Sequence, residues 1–192
     1  MIGNDIVDLA KAKTDSDWLR PRWVSKVFTQ KEQDFVKRSD DKDQMVWRLW
    51  SMKESAYKCS VQRKSFGRFN PLNFECSLIN SNEGIIRSDT LKFFSTTHSS
   101  NRNIYSTATF TKNQSFFSKI IGSDDTSASQ TSNKLKEELL IRISQKMGYD
   151  FCKIEIRKSL QKVPQVFFDG RKMDMNISLT HHGRFSAYAI SE

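Results

Sequence analysis

The sequence predicts an α+β protein in two blocks, and three observations support that prediction. A helical pattern over Gln44–Ser60 is followed by three segments rich in Phe, Ile and Thr, separated by Asn, Ser and Gly, which read as strands. From Ser123 to Ser132, Ser, Thr, Asp and Gln crowd together as in a linker, which we bound at 113–132. Beyond it the plan repeats, with a helix and then strands, so residues 1–112 form one block and 133–192 another.

In chain order, Gly3 to Leu9 is an apolar run that reads as a buried strand, with Asp5 placed directly after the Gly3-Asn4 pair. A helix is expected near Asp15 to Lys26 and another from Thr29, where Thr29-Gln30-Lys31-Glu32 has the form of a capping box. Over Gln44–Ser60, Val46, Leu49, Trp50 and Tyr57 make a helical stripe that reads as core. The three strands that follow are Asn73–Asn80, Thr90–His98 and Asn103–Thr111. In the second block, Leu135, Leu139, Leu140 and Ile143 mark an amphipathic helix over Lys134–Met147, ended by Gly148, and three or four strands occupy Cys152–Ser191.

A chain of 192 residues suits one domain or two small lobes. No run approaches the roughly 18 apolar residues of a membrane span, and the first residues lack the pattern of a secretory signal, so the expectation is a cytoplasmic protein with no membrane partner. Cys59, Cys76 and Cys152 are odd in number and far apart, as expected of reduced structural thiols rather than a zinc site. The net charge of +9 implies an anionic partner. Nucleic acid is disfavoured because the lysines and arginines are scattered, with no dense basic tract and no recognisable reader motif.

The chemistry gathers in two places. On a helix, i,i+4 spacing puts Trp50, Glu54 and Lys58 on one face, which alone is what any solvated helix offers as a weak ion pair. Asp5, inside an apolar strand, needs a partner. One carboxylate from a strand and one from a helix, with lysines nearby, suit Mg²⁺ and a polyphosphate, since Mg²⁺ usually takes one or two protein carboxylates and completes its shell with phosphate oxygens and water.

Gly3-Asn4-Asp5-Ile6 and the helix from Trp50 through Lys53-Glu54-Ser55 to Lys58 resemble, in order and separation, the two signatures of the 4′-phosphopantetheinyl transferases. Phe28-Thr29-Gln30-Lys31-Glu32 is similar to a third segment of that family. The resemblance implies two similar lobes forming a pseudo-dimer, each a small antiparallel sheet packed with helices, with the active site between them. In the two-lobed members the lobe ending in Asn-Ile-Ser-His-Ser-Gly-Arg-Trp comes first. Here Asn176-Ile177-Ser178-Leu179-Thr180-His181-His182-Gly183-Arg184-Phe185 comes last, an apparent permutation. The small trimeric holo-acyl-carrier-protein synthases also run in this order, but length favours two lobes in one chain and hence a monomer, with an oligomer left open.

The implied reaction moves phosphopantetheine from coenzyme A to a serine of an acyl, peptidyl or aryl carrier protein with Mg²⁺, releasing adenosine 3′,5′-bisphosphate. Asp5 and Glu54 match the family's metal-binding acids, Glu54 also being placed to orient or deprotonate the serine. Lys58 matches a lysine on the pyrophosphate, Lys53 is a weaker candidate for phosphate or carrier contact, and His181 matches the histidine at the coenzyme A 3′-phosphate. Lys162 in Gln161-Lys162-Val163-Pro164 stands near a Gly-Lys-Pro lysine, with the glycine missing and the register off by one. Two-lobed members usually carry a third acid two residues after the aspartate, where this chain has Val7; water is expected in its place. Asp8 points to the opposite face as a strand-end residue, and His182 holds a position usually given to Ser or Thr. The rival reading is a catalytically silent coenzyme A- or carrier-binding protein of the same fold; the joint presence of Asp5, Glu54 and Lys58 weighs against it.

Overall fold

The computed structural model describes residues 1–63, 67–122 and 128–191. Two five-stranded antiparallel sheets, each covered by a 20-residue helix, form two lobes. In the first lobe β1 (Ile2–Asp8) is followed by α1 (Leu9–Asp15), α2 (Trp23–Val27), α3 (Gln30–Arg38) and α4 (Lys42–Val61), then β2 (Glu75–Leu78), β3 (Glu83–Ser88), β4 (Leu91–Ser99) and β5 (Asn103–Thr109), in the sheet order β1-β5-β4-β3-β2. β1 is buried along its whole length, its polar residues Asn4, Asp5 and Asp8 included. Val46, Leu49, Met52 and Ala56 of α4 lie in the core of this lobe.

The second lobe holds β6 (Phe116–Gly122), α5 (Ala128–Met147), β7 (Ile154–Lys158), β8 (Pro164–Phe168), β9 (Arg171–His182) and β10 (Phe185–Ser191), in the order β6-β10-β9-β8-β7. Leu135, Leu139 and Ile143 of α5 share a core with Ile177, Tyr188 and Ile190 of the sheet.

Three expectations change. Of the helix expected near Asp15–Lys26 only its end forms, as α2, because Pro21 breaks the pattern and Arg22 takes a left-handed φ of 66°, while α1, which was not foreseen, ends where that helix was expected to begin. β3 was not foreseen: Gly84 hides its short apolar run. The expected linker at 113–132 contains β6, which pairs with β10 through Ser186↔Ile121 and Ala187↔Ile120; its central part, 123–127, lies outside the described residues.

The lobes meet along β1, the edge strand of the first sheet. Its outward amides are taken one by one by side chains: Ile2 N donates to Gln62 Oε1 (3.2 Å), Asn4 N to Ser178 Oγ (3.0 Å), Ile6 N to Thr180 Oγ1 (3.3 Å) and Asp8 N to His182 Nδ1 (2.9 Å). The last three acceptors alternate along β9, so one face of the second sheet satisfies an edge that would otherwise leave buried donors unpaired. Ile6, Tyr105, Phe185 and Ala187 seal the junction with a small apolar cluster.

Candidate active site

β1 brings Asp5 to α4 because residue 3 is glycine. A Cβ on Gly3 would overlap the Ser55 carbonyl and come within 2.5 Å of the Cys59 amide nitrogen, so only glycine lets strand and helix approach this closely. The approach is fastened by Ser51 Oγ, which donates to the Asp5 carbonyl at 3.1 Å.

A cleft of about 540 Å³ opens between the lobes. Asp5 and Val7 face it from β1, Glu54 and Lys58 from α4, and Thr180, His181 and His182 from β9. Trp23, Trp47 and Trp50 line it too, Trp23 lying 6.1 Å from Trp47 and 6.3 Å from Trp50 between ring centres. Trp50, expected as packing, therefore also borders the cleft. Trp23 and Trp47 were not anticipated here, since aromatic residues in helical patterns read equally well as core.

Four of the expected site residues, Asp5, Glu54, Lys58 and His181, converge in this cleft. Lys58 Nζ lies 2.9 Å from Asp5 Oδ1, and Thr180 Oγ1 donates to the same oxygen at 3.1 Å. Glu54, half-buried, has its pKa raised to about 7, first by burial and second by the negative charge of Asp5, with Lys58 opposing. His181 is exposed at the rim. Lys162 lies in an adjoining hollow of about 270 Å³ whose lining shares Lys58 with the cleft. It has a φ of 61°, a left-handed conformation that favours glycine, so Lys162 occupies the turn position that a Gly-x-Pro glycine would fill.

Lys53 is a correction. Its side chain is fully buried, and its ammonium pairs with Glu32 Oε2 at 2.8 Å while donating to the carbonyls of Pro71 (2.9 Å) and Phe74 (2.6 Å). With its donors so engaged and no exposure, it cannot reach a phosphate or a carrier protein. Glu32 is equally buried; it accepts the Thr29 amide (2.8 Å) in the expected capping box and the Cys76 amide (2.7 Å). The pair ties α3, α4 and β2 together, one residue from Glu54.

Asp8 and His182 hold the lobes together. Arg184 donates to both carboxylate oxygens of Asp8, Nε to Oδ2 at 2.9 Å and Nη2 to Oδ1 at 2.8 Å, and its backbone amide donates to Oδ2 at 3.0 Å. Asp8 also caps α1 by accepting from Ala10 N and Lys11 N. Gly183, at φ 55°, allows the two-residue turn between β9 and β10 to bring Arg184 over Asp8, where a Cβ would collide with that carboxylate.

The sequence model of the 4′-phosphopantetheinyl transferase superfamily matches residues 1–118, more than half of the chain and all of the lobe that carries Asp5, Glu54 and Lys58. The chain belongs to that superfamily. Among solved structures, it is similar to the holo-[acyl-carrier-protein] synthase of Thermotoga maritima at 9% identity, over 89% of this chain and 83% of that one, with a TM-score of 0.43. It is also similar to the Helicobacter pylori holo-[acyl-carrier-protein] synthase, in complex with coenzyme A, at 15% identity, over 100% of this chain and 98% of that one, with a TM-score of 0.29. A search of curated proteins returned no match. The two lobes built on similar sheets are those expected of a phosphopantetheinyl transferase pseudo-dimer.

Asp5 and Glu54 are the residues that could hold a divalent cation: both carboxylates face one cleft, and the pKa of Glu54 is raised first by burial and second by the negative charge of Asp5, a repulsion that a shared cation would relieve. Val7 occupies the cleft side of β1 beside Asp5, so the protein itself supplies two acids there and no third from this strand.

Proposed function

We propose that this phosphopantetheinyl transferase moves 4′-phosphopantetheine from coenzyme A to a serine of an apo acyl, peptidyl or aryl carrier protein, with Mg²⁺ held by Asp5 and Glu54. The observation that carries the reading is the convergence of Asp5, Glu54 and Lys58 in one interlobe cleft. Bound there, Mg²⁺ would neutralise charge on the pyrophosphate oxygens. The serine Oγ forms a bond to the β-phosphorus while the bond from that phosphorus to the bridging oxygen breaks, so adenosine 3′,5′-bisphosphate leaves with the bond's electrons. Glu54, on the cleft wall, accepts the serine proton. Lys58 exchanges its bond to Asp5 for the pyrophosphate and stabilises the charge that builds on the leaving group. His181, lining the cleft from β9, holds the 3′-phosphate, and Lys162 extends the basic surface past Lys58.

The net charge of +9 suits an acidic carrier, whose encounter it would speed at low ionic strength. The test is incubation of the chain with coenzyme A, Mg²⁺ and a panel of apo-carriers, reading the phosphopantetheine adduct by mass spectrometry. An adduct on serine that disappears with Asp5→Asn or Glu54→Gln is expected. Tight coenzyme A binding with no adduct on any carrier would instead favour a silent binding protein.

A further inference from the structure

We propose that Thr180 is a positioning residue through which the second lobe orients the Asp5 carboxylate for its cation. The inference rests on the metal assignment above and adds a residue from the lobe that does not carry the acids. Thr180 Oγ1 accepts the Ile6 amide at 3.3 Å, so its one proton is free to be donated elsewhere, and Asp5 Oδ1 lies 3.1 Å away. Thr180 is only 5% exposed, and its β-branched side chain, on a strand paired to β10 through Thr180↔Ala187, has few rotamers, so the hydroxyl is held in place against Asp5. Lys58 Nζ takes the same Oδ1 at 2.9 Å.

Two donors on Oδ1 fix the rotation of the carboxyl group and leave Oδ2 without a hydrogen bond among the described residues, as the oxygen available to a cation. Ser178 and His182, two residues to either side on β9, hold the Asn4 and Asp8 amides. Of these three side chains on β9, Thr180 alone also bonds an acid of the site. Lys58 leaves Oδ1 if it turns to a pyrophosphate, whereas Thr180 has no such second task. The carboxylate then keeps its orientation through the cycle because of the second lobe.

The test compares Thr180→Val, which keeps the shape and removes the hydroxyl, with Thr180→Ser, which keeps the hydroxyl. Cation affinity is read directly on the full chain with Mn²⁺ by electron paramagnetic resonance, coenzyme A affinity is read in chelator, and folding by thermal melting. Thr180→Val is expected to weaken Mn²⁺ binding by roughly tenfold or more, the usual effect of losing a partner behind a metal ligand, while Thr180→Ser stays near wild type and metal-free coenzyme A affinity is unchanged in both. If Thr180→Val does not melt cooperatively, Thr180→Ala, which introduces no new bulk, carries the same comparison. A folded Thr180→Val or Thr180→Ala that binds Mn²⁺ as wild type does overturns the proposal, as does Thr180→Ser failing as badly as either. Asp5→Asn separates the levels: if it binds Mn²⁺ like wild type, the metal assignment fails and the positioning role with it. If it loses the cation while Thr180→Val keeps it, only the role of Thr180 falls.

Discussion

Asp8 on β1 and Arg184 on the β9–β10 turn, 176 residues apart, meet through a two-pronged ion pair at 2.8 and 2.9 Å with the Asp8 side chain 1% exposed. Arg184 holds the Asp8 carboxyl well below the usual carboxylate range, against the opposing effect of burial. A depressed folded-state pKa contributes stability that is present above the ordinary carboxylate pKa and is lost as pH falls below it. Asp8→Asn removes the charge and should cost ~1.5–3 kcal/mol near neutral pH, the value of hydrogen bonds to a charged group. Melting curves should show the gap between wild type and Asp8→Asn constant from pH 8 to about 5 and narrowing below pH 4; a gap that persists unchanged at pH 2 would refute the ionic account.

The strand position of Asp8 was legible in the sequence, and its partner was not. Period-2 alternation placed Asp8 opposite Asp5, but nothing in local spacing can point across 176 residues to Arg184. The same limit explains Lys53: the motif lysine next to Glu54 reads as a cation for substrate, and only the packing of α3 against α4 shows Glu32 already facing it. β6 was missed because Phe116–Gly122 follows a turn-rich stretch and adjoins the Ser-rich one, so composition masked a strand that exists by pairing with β10. Asp5, Glu54 and Lys58 were legible because a strand and a helix each carry a fixed side-chain period, and both of their periods survive packing.

His182 gives the lobe junction a second, milder pH dependence. Its Nδ1 accepts the Asp8 amide, which requires the unprotonated nitrogen, and burial lowers its pKa despite the nearby Asp5 and Asp8 charges. For a histidine with a lowered folded-state pKa, stability is full above the ordinary value of about 6.5 and falls as pH drops through the folded value. Wild type should therefore lose melting temperature from pH 7 to 5 faster than His182→Gln, whose amide does not titrate. Parallel curves over that range would remove His182 from the account.

Gly3→Ala tests how closely β1 must approach α4. The added methyl meets backbone atoms of Ser55 and Cys59, which cannot rotate away, so β1 must shift and carry Asp5 with it. We expect a loss of ~1–3 kcal/mol from overpacking, together with a fall in transfer rate larger than that of an equally destabilised variant elsewhere. Denaturant unfolding and kinetics on the same preparation decide it; wild-type rates in a folded Gly3→Ala would show that the close approach does not set the site.

The Glu32–Lys53 pair should behave as structure. Removing either partner alone, by Glu32→Gln or Lys53→Met, leaves a buried group uncompensated and should cost ~3–5 kcal/mol, while the double variant should cost less than the sum of the two. At temperatures where Lys53→Met remains folded, its KM for coenzyme A should equal that of wild type. A rise in KM without loss of stability would return Lys53 to the phosphate site from which its burial excludes it.

His181 offers the sharpest check on where coenzyme A lies. It lines the cleft from the second lobe and is exposed, so removing it disturbs no buried neighbour. A histidine donating to a phosphate dianion makes a charge-assisted hydrogen bond worth ~1.5–3 kcal/mol. At about 1.4 kcal/mol per factor of ten, His181→Ala should raise KM for coenzyme A by roughly tenfold or more and leave kcat nearly unchanged, because the 3′-phosphate is remote from the bond being broken. Dephospho-coenzyme A lacks that phosphate, so the same substitution should hardly change its KM. The comparison is a two-by-two cycle of enzyme and cofactor, in which the coupling between His181 and the 3′-phosphate is what the two single changes fail to account for. Equal losses with both cofactors would mean that His181 acts on the fold or on another part of the donor. The 3′-phosphate would then have to be held by a different basic group, for which Lys162, in the hollow that shares Lys58 with the cleft, is a candidate.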